Sequence, residues 1–336
     1  MTEERKPECA VCVKCYTYNQ ASYIVDAMNG FTKQQTSFPY VCVIVDDAST
    51  DGESEVIRQY IEEHFELNDK NIVRNEETED YVLFFAQHRT NKNCYFAILF
   101  LKYNHYCIKK SKLQYIAEWN EQAKYIAQCE GDDYWIDSMK LKKQYDFMES
   151  HPDYMLCFHS IKEIYEDRHY LDKIRGGGVE DREYSGLEWF KNRPSQYASF
   201  FMRRIIFDSD FYKQMLSNKA FIAGDIRMVL VCAHFGKIYG MSDVMSVYRH
   251  NRGGWTQKKR TDEQKWAVIK SDLAYRFFGE EYKKAAEYFA IRDCVSSFLS
   301  SLKNGSVNFS FLKYAISLSI WETFRAFYKI LKTQYD

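Results

Sequence analysis

Three carboxylates fall within the run Glu130-Gly131-Asp132-Asp133-Tyr134-Trp135, directly after the short apolar stretch Tyr125-Ile126-Ala127-Gln128-Cys129. Acidic side chains crowded this closely repel one another. A hard divalent ion such as Mg²⁺ or Mn²⁺ offsets that cost, because such ions favour carboxylate oxygens. The place adds weight to the chemistry: the apolar stretch predicts a strand, and in open α/β sheets ligands sit outside the carboxyl ends of the strands. The same residues also suit a plain acidic turn into a helix with Asp137 as its N-cap.

A second acidic group follows the same logic. Val41-Cys42-Val43-Ile44-Val45 is a dense β-branched run that reads as a strand buried on both faces, and it ends in Asp46-Asp47-Ala48-Ser49-Thr50-Asp51-Gly52. A first strand, from about Ala10 to Tyr16, runs into the polar turn Thr17-Tyr18-Asn19-Gln20. The elements that must position these residues are therefore strands alternating with helices, as a doubly wound α/β sheet requires. Helices are expected at Ala21 to Gly30 and Glu53 to Phe65, where Ile24, Ala27 and Met28, then Val56, Ile57, Tyr60 and Ile61, share a face.

Together, Thr17-Tyr18-Asn19, Asp46-Asp47-Ala48-Ser49-Thr50-Asp51 and Glu130-Gly131-Asp132-Asp133, in that order, resemble the nucleotide-sugar-binding half of a family 2 glycosyltransferase of the GT-A fold. The likeness continues through Trp135 to His151, with Lys140-Leu141 and Gln144, as the helix after the metal motif. It extends to Ala223-Gly224-Asp225 and Val247-Tyr248-Arg249-His250, and covers about Ala10 to Trp255. Two features depart from the family pattern. Glu130 stands where the family's first motif carboxylate is Asp, and no Gly-x-x-x-Ala-Arg-Asn segment lies between Asn75 and Tyr125, where His88-Arg89 and Asn91 are the only polar cluster of similar type.

The resemblance implies an α/β, Rossmann-like GT-A fold with a mostly parallel sheet, followed by a C-terminal helical region. It implies an inverting glycosyltransferase, a hexosyl- or N-acetylhexosaminyltransferase, working with Mn²⁺ or Mg²⁺. Asp132 and Asp133 are then the metal residues, supported by Glu130. Thr17, Tyr18, Asn19, Asp46, Glu130 and Gly131 line the donor site, and Asp225 is the general base. Arg249 and His250, with Arg252, would meet the diphosphate, with Trp255 as a sugar platform. By the same likeness the donor is a nucleotide sugar, UDP-linked with dTDP left open. The acceptor is a glycan or lipid-linked sugar in surface polysaccharide synthesis. An inactive nucleotide-sugar-binding scaffold of the same fold is the alternative reading. A sugar nucleotidyltransferase or a nicotinamide dehydrogenase would need a Gly-rich turn after the first strand, and Thr17 to Ser22 contains no Gly.

Composition bounds the partners. A net charge of −1 argues against nucleic acid, whose binding surfaces bias the balance towards Lys and Arg. The 336 residues suffice for a catalytic domain, expected over 1–255, with a smaller helical region over 256–336. Cys9, Cys12 and Cys15 imitate half an iron–sulfur motif, but on a strand Cys12 points away from the other two, so buried thiols are expected. With no signal peptide at the start, a reducing cytoplasm is the expected location, with peripheral contact at the inner face of the plasma membrane. No apolar run approaches the roughly 20 residues that span a bilayer. Gly176-Gly177-Gly178 is read as a flexible loop over the site. Phe309, Leu312, Ile316, Ile320, Phe324, Phe327 and Leu331 form one apolar stripe on a last helix, fit for packing, for a homodimer or for a membrane surface.

Overall fold

A computed structural model describes residues 8–68, 73–166, 171–251 and 260–332. It folds as two compact units that are not contiguous in sequence. The first takes in Met1–Ser185, Arg193–Asp208 and Phe235–Gln257; the second takes in Gly186–Asn192, Ser209–His234 and Lys258–Asp336. The boundary expected at 255 falls outside the described residues, and two earlier segments, Gly186–Asn192 and Ser209–His234, also join the helical unit.

The first unit is built on one mixed sheet. Its centre is four parallel strands in the order β5-β2-β1-β6: Cys94–Leu101, Tyr40–Asp46, Val11–Thr17 and Tyr125–Gln128. Nearly every residue of these strands is buried, which is why they read as continuous apolar runs rather than as alternation. Val11, Val13 and Cys15 join Tyr40, Cys42, Ile44, Tyr125 and Ala127 in the core on one face. That face is covered by helices α1 (Ile24–Thr32), α2 (Glu53–His64) and α4 (Lys140–Ser150) through Met28, Phe31, Ile57, Ile61, Leu141 and Met148. Cys12 is buried outside this cluster, on the other face, Cys9 precedes the strand, and all ten cysteines are free thiols.

The parallel centre is flanked on each side by a strand antiparallel to its inner neighbour. β3 (Arg74–Glu77) and β4 (Tyr81–Gln87) form a hairpin beside β5, so the segment without the family motif supplies sheet edge, then α3 (Leu113–Gln122). His88, Arg89 and Asn91 serve the fold there. The Arg89 guanidinium donates to the carbonyls of Glu62 and Glu63, and Asn91 Nδ2 donates to Thr32 O at 3.0 Å and Gln34 O at 2.8 Å. On the other side lie β11 (Phe201–Arg203), then β8 (Tyr154–Tyr165) and β12 (Lys237–His250), which pair parallel with each other, and β10 (Arg182–Tyr184), with the two-residue β7 (Tyr134–Trp135) and β9 (Lys173–Ile174) added to β12 and β8.

Three expectations are corrected here. Trp135 does not open a helix: it pairs with Ser246 in β7, and the helix begins at Lys140. Asp137 is not the N-cap, a position Met139 holds, although its Oδ1 accepts Met139 N at 2.7 Å. Gly176, Gly177 and Gly178 are not an open loop. Their φ values of 60°, 83° and 106° form a tight turn, closed by Gly178 N donating to Arg175 O at 3.0 Å and tied to β8 by Val179 N donating to Ser160 Oγ at 2.7 Å.

The second unit holds α5 (Gly186–Asn192), α6 (Asp210–Ser217), α7 (Gly224–Phe235), α8 (Asp262–Ala274), α9 (Glu280–Lys303), α10 (Phe309–Leu318) and α11 (Ile320–Lys332). Thr261 starts α8 in a capping box with Gln264. Ile269, Ile291, Cys294, Val295, Phe298 and Phe311 make its core. The expected single last helix is two: Ser319 takes extended φ and ψ of −166° and 119°, dividing the stripe between α10 and α11.

Candidate functional site

Parallel register gathers the candidate residues. Thr17 and Asp46 are partners at the carboxyl ends of β1 and β2, and Gly131 N donates to Tyr16 O at 3.2 Å, carrying the acidic run alongside β1. Asp46 is fully buried and accepts from Ser49 N at 2.9 Å and from the Ser54 hydroxyl. That turn is tight enough to hold Ala48 at φ 60°. Asn19, at φ 54°, accepts at Oδ1 from Thr50 N at 2.7 Å and donates its own N–H to Ser49 Oγ at 2.9 Å. The turns after β1 and β2 are thereby clamped to each other. Tyr18, in the first of these turns, is 42% exposed.

The clamp closes on a residue the sequence did not single out. Glu53, fully buried at the start of α2, accepts from the Thr17 hydroxyl, from Gln20 N at 2.9 Å and from Ser49 Oγ at 2.8 Å. Burial raises its pKa, and the hydrogen bonds from Thr17, Gln20 and Ser49 oppose that rise. Asp47 does the equivalent on the far side, accepting from His105 N at 2.7 Å, Tyr106 N at 3.1 Å and Lys112 Nζ at 2.7 Å. The loop after β5 is thus stapled to the end of β2.

Glu130, Asp132 and Asp133 offer carboxylate oxygens that all lie within 4.8 Å of one another, graded from exposed Glu130 to buried Asp133. Each aspartate is held from β12 or its neighbourhood. Asp133 Oδ1 accepts Arg249 N at 3.0 Å and Oδ2 accepts Gln196 Nε2 at 3.1 Å, while Asp132 Oδ2 accepts Asn251 Nδ2 at 2.7 Å. Burial pushes the Asp132 carboxyl above the ordinary range. Asp133 is pushed well above it by burial, then by the charges of Asp132 and Glu130. The folded state therefore binds more protons than the unfolded chain. With the carboxylates alone, the contribution of these two groups to stability is greatest at low pH and is lost as pH rises through their raised pKa values. A cluster strained in this way, made wholly of hard oxygen donors, fits Mn²⁺ or Mg²⁺.

Gly131 sits where no side chain fits: an added Cβ would lie 2.3 Å from Thr17 Oγ1 and 2.5 Å from Gln20 Oε1. Gly131→Ala is expected to cost about 1–3 kcal/mol by overpacking, read as a lower denaturant midpoint. An unchanged midpoint would contradict this packing.

The remaining expected residues lie around this cluster or apart from it. The Arg249 guanidinium lies near the Tyr23 and Tyr134 rings, at 4.8 and 5.2 Å, donates Nε to the Asp132 carbonyl at 3.1 Å and pairs with Asp26 at 2.7 Å. It braces the acidic run. His250 stacks on Tyr165 at 4.1 Å with Glu163 3.5 Å from Nε2, and burial lowers its pKa, which favours the neutral ring. Asp225 belongs to the helical unit, in the first turn of α7. Arg252 and Trp255 lie outside the described residues. Gln196, Asn251 and Asp26 carry no local sequence signal, because their partners are brought to them only by the sheet. A cleft lined by Thr32, Gln34, Thr90 and Asn91 lies near the amino ends of β2 and β5 and holds none of these carboxylates.

Residues 12–83 match the glycosyl transferase family 2 model. Uncharacterized proteins of Mycobacterium bovis and Mycobacterium tuberculosis are 29% identical over 255 residues, 74% of this chain and 61% of theirs, so the chain spans less than two thirds of the length of these relatives. Among solved structures, S. aureus TarS 1-349 in complex with UDP gives a TM-score of 0.51 at 14% identity, covering 94% of this chain and 80% of that one. The complex of TarS 1-349 with UDP-GlcNAc gives 0.50 at 14% identity, over 96% and 92%. At that identity the likeness is one of fold. The match to the glycosyl transferase family 2 model falls on the very strands and turns that carry Thr17, Asp46 and Glu53, and the fold of the chain is the GT-A fold of these solved structures.

Proposed function

We propose that the protein is an inverting, metal-dependent glycosyltransferase that moves a hexosyl or N-acetylhexosaminyl group from a UDP-linked donor to a glycan or lipid-linked acceptor in surface polysaccharide synthesis, in the cytoplasm. One observation carries the reading: three converging carboxylates stand just past the carboxyl end of β6, and two mutually clamped turns lie in a segment that matches the family. The UDP and UDP-GlcNAc held by TarS support the choice of nucleotide. The ten free thiols fit a reducing compartment.

In this reading the clamped turns after β1 and β2 shape the base pocket. Thr17, Asn19 and Asp46 fix its backbone, and Tyr18 offers a ring. Asp132 and Asp133, with Glu130 beside them, would hold Mn²⁺ or Mg²⁺, which when bound neutralises charge on the departing diphosphate. Arg249 keeps Asp132 in place through its carbonyl. Asp225 accepts the acceptor's hydroxyl proton while that oxygen attacks the anomeric carbon from the face opposite the nucleotide, so the configuration inverts.

The test is release of nucleoside diphosphate from a panel of nucleotide sugars with Mn²⁺ across pH 5 to 8. One donor is expected to turn over, and the Mn²⁺ needed is expected to fall as pH rises, because protons compete for carboxylates whose pKa values are raised. Binding without turnover of any donor in the presence of acceptor glycans would leave the inactive scaffold in its place.

A further inference from the structure

Helix α11 buries Thr323 and Ala326 in the helical unit, with Phe327 and Ile330 partly buried beside them. A helix docked in this way ordinarily turns a polar face to water. This one does not. Ile320, Leu331, Phe324, Tyr328 and Trp321 fill one outward sector of about 100° at 3.6 residues per turn, and they are 50%, 41%, 64%, 68% and 81% exposed. The adjoining sector holds Lys332, Arg325 and Lys329, all exposed. The one acid of the helix, Glu322, faces Arg325 at 3.4 Å.

An aromatic and aliphatic sector edged on one side by cations matches the headgroup boundary of an anionic bilayer. Rings and aliphatic chains enter the acyl boundary while Lys and Arg reach the phosphates. A second copy is the poorer occupant: in a pair related by a two-fold axis across the helix, like edges meet, and three cations would face three. No helix among the described residues is long and apolar enough to cross a membrane, so the face lies on the surface. We propose that the outward face of α11 docks the protein on an anionic phospholipid surface. The inference stands apart from the donor site and would place the enzyme where a lipid-linked acceptor resides.

Flotation of the full chain with vesicles of phosphatidylcholine alone, or mixed equally with phosphatidylglycerol, tests it. Binding is expected to the mixed vesicles only and to weaken with salt. The triple variant Arg325→Glu, Lys329→Glu, Lys332→Glu should lower affinity by at least about a hundredfold, since the loss of the cations alone is worth about a factor of five each and the added carboxylates are repelled by the anionic lipid. Trp321→Ser with Phe324→Ser should also abolish flotation. Both variants change exposed positions, so circular dichroism and nucleoside diphosphate binding should match the parent, which separates this test from that of the donor site. Equal binding to both vesicle types that survives charge reversal would overturn the proposal. So would the absence of vesicle binding together with a dimer that Phe324→Ser dissociates.

Discussion

Asp225→Asn is expected to slow sugar transfer by about 10²–10⁴-fold while donor binding stays within about twofold. The substitution is nearly isosteric and removes only the capacity to take a proton. Its structural cost is small, because Asp225 contributes to the fold mainly as a negative charge in the first turn of α7, worth about 0.3–1 kcal/mol. The segment leading into α7 is held without it: Ile222 N donates to Ser271 Oγ at 3.1 Å and the Tyr275 hydroxyl donates to Ala223 O at 3.2 Å. Steady-state kinetics should therefore show a fall in kcat with little change in donor KM. An unchanged rate would remove Asp225 as the base.

Glu53→Ala is expected to be the most destabilising single change near the donor turns, at about 3–5 kcal/mol, the usual cost of removing one member from a buried charged network. Three donors lose their acceptor together: the Thr17 hydroxyl, Gln20 N and Ser49 Oγ. Ser49 also accepts from Asn19 N, so the loss loosens the clamp between the two turns and nucleotide affinity should fall along with stability. Glu53→Gln keeps the shape and one acceptor oxygen and should lose clearly less. Denaturant midpoints for the two variants check the ranking; equal losses would show that the shape Gln keeps contributes nothing and that only the intact carboxylate holds the clamp.

Glu53 also marks where the sequence stopped being legible. The parallel strands could be read because each is an apolar run buried on both faces, and the acidic ends of those runs stood out for the same reason. Glu53 reads as an ordinary acid in the first turn of a helix; nothing local says that it will be buried beneath the turn after β1. Gln196 and Asn251 are similar, since they reach Asp133 and Asp132 only through β12 and the segment before β11. Trp135 misled because a two-residue strand has no period to detect, and its partner Ser246 is remote in sequence. The break in the last helix did leave a trace: Ser319-Ile320-Trp321-Glu322 has the spacing of a helix start, and Glu322 N donates to Ser319 Oγ at 3.3 Å. The apolar stripe obscured it, because α10 and α11 both keep helical period across the corner.

The roles of the basic residues were the least legible. Arg249 and His250 read as groups that meet a diphosphate; in the fold Arg249 pairs with Asp26 and donates to the Asp132 carbonyl, and His250 stacks on Tyr165. Charge alone cannot distinguish a residue that meets a ligand from one that braces the residues meeting it.

The most direct test of the account is calorimetric titration of a panel of nucleoside diphosphates, with and without Mn²⁺, into the parent protein and Asp132→Ala. One nucleotide is expected to bind the parent, Mn²⁺ to strengthen that binding, and Asp132→Ala to abolish the Mn²⁺ effect while keeping its fold. Binding that is indifferent to both Mn²⁺ and Asp132, or no binding of any nucleotide, would contradict the account.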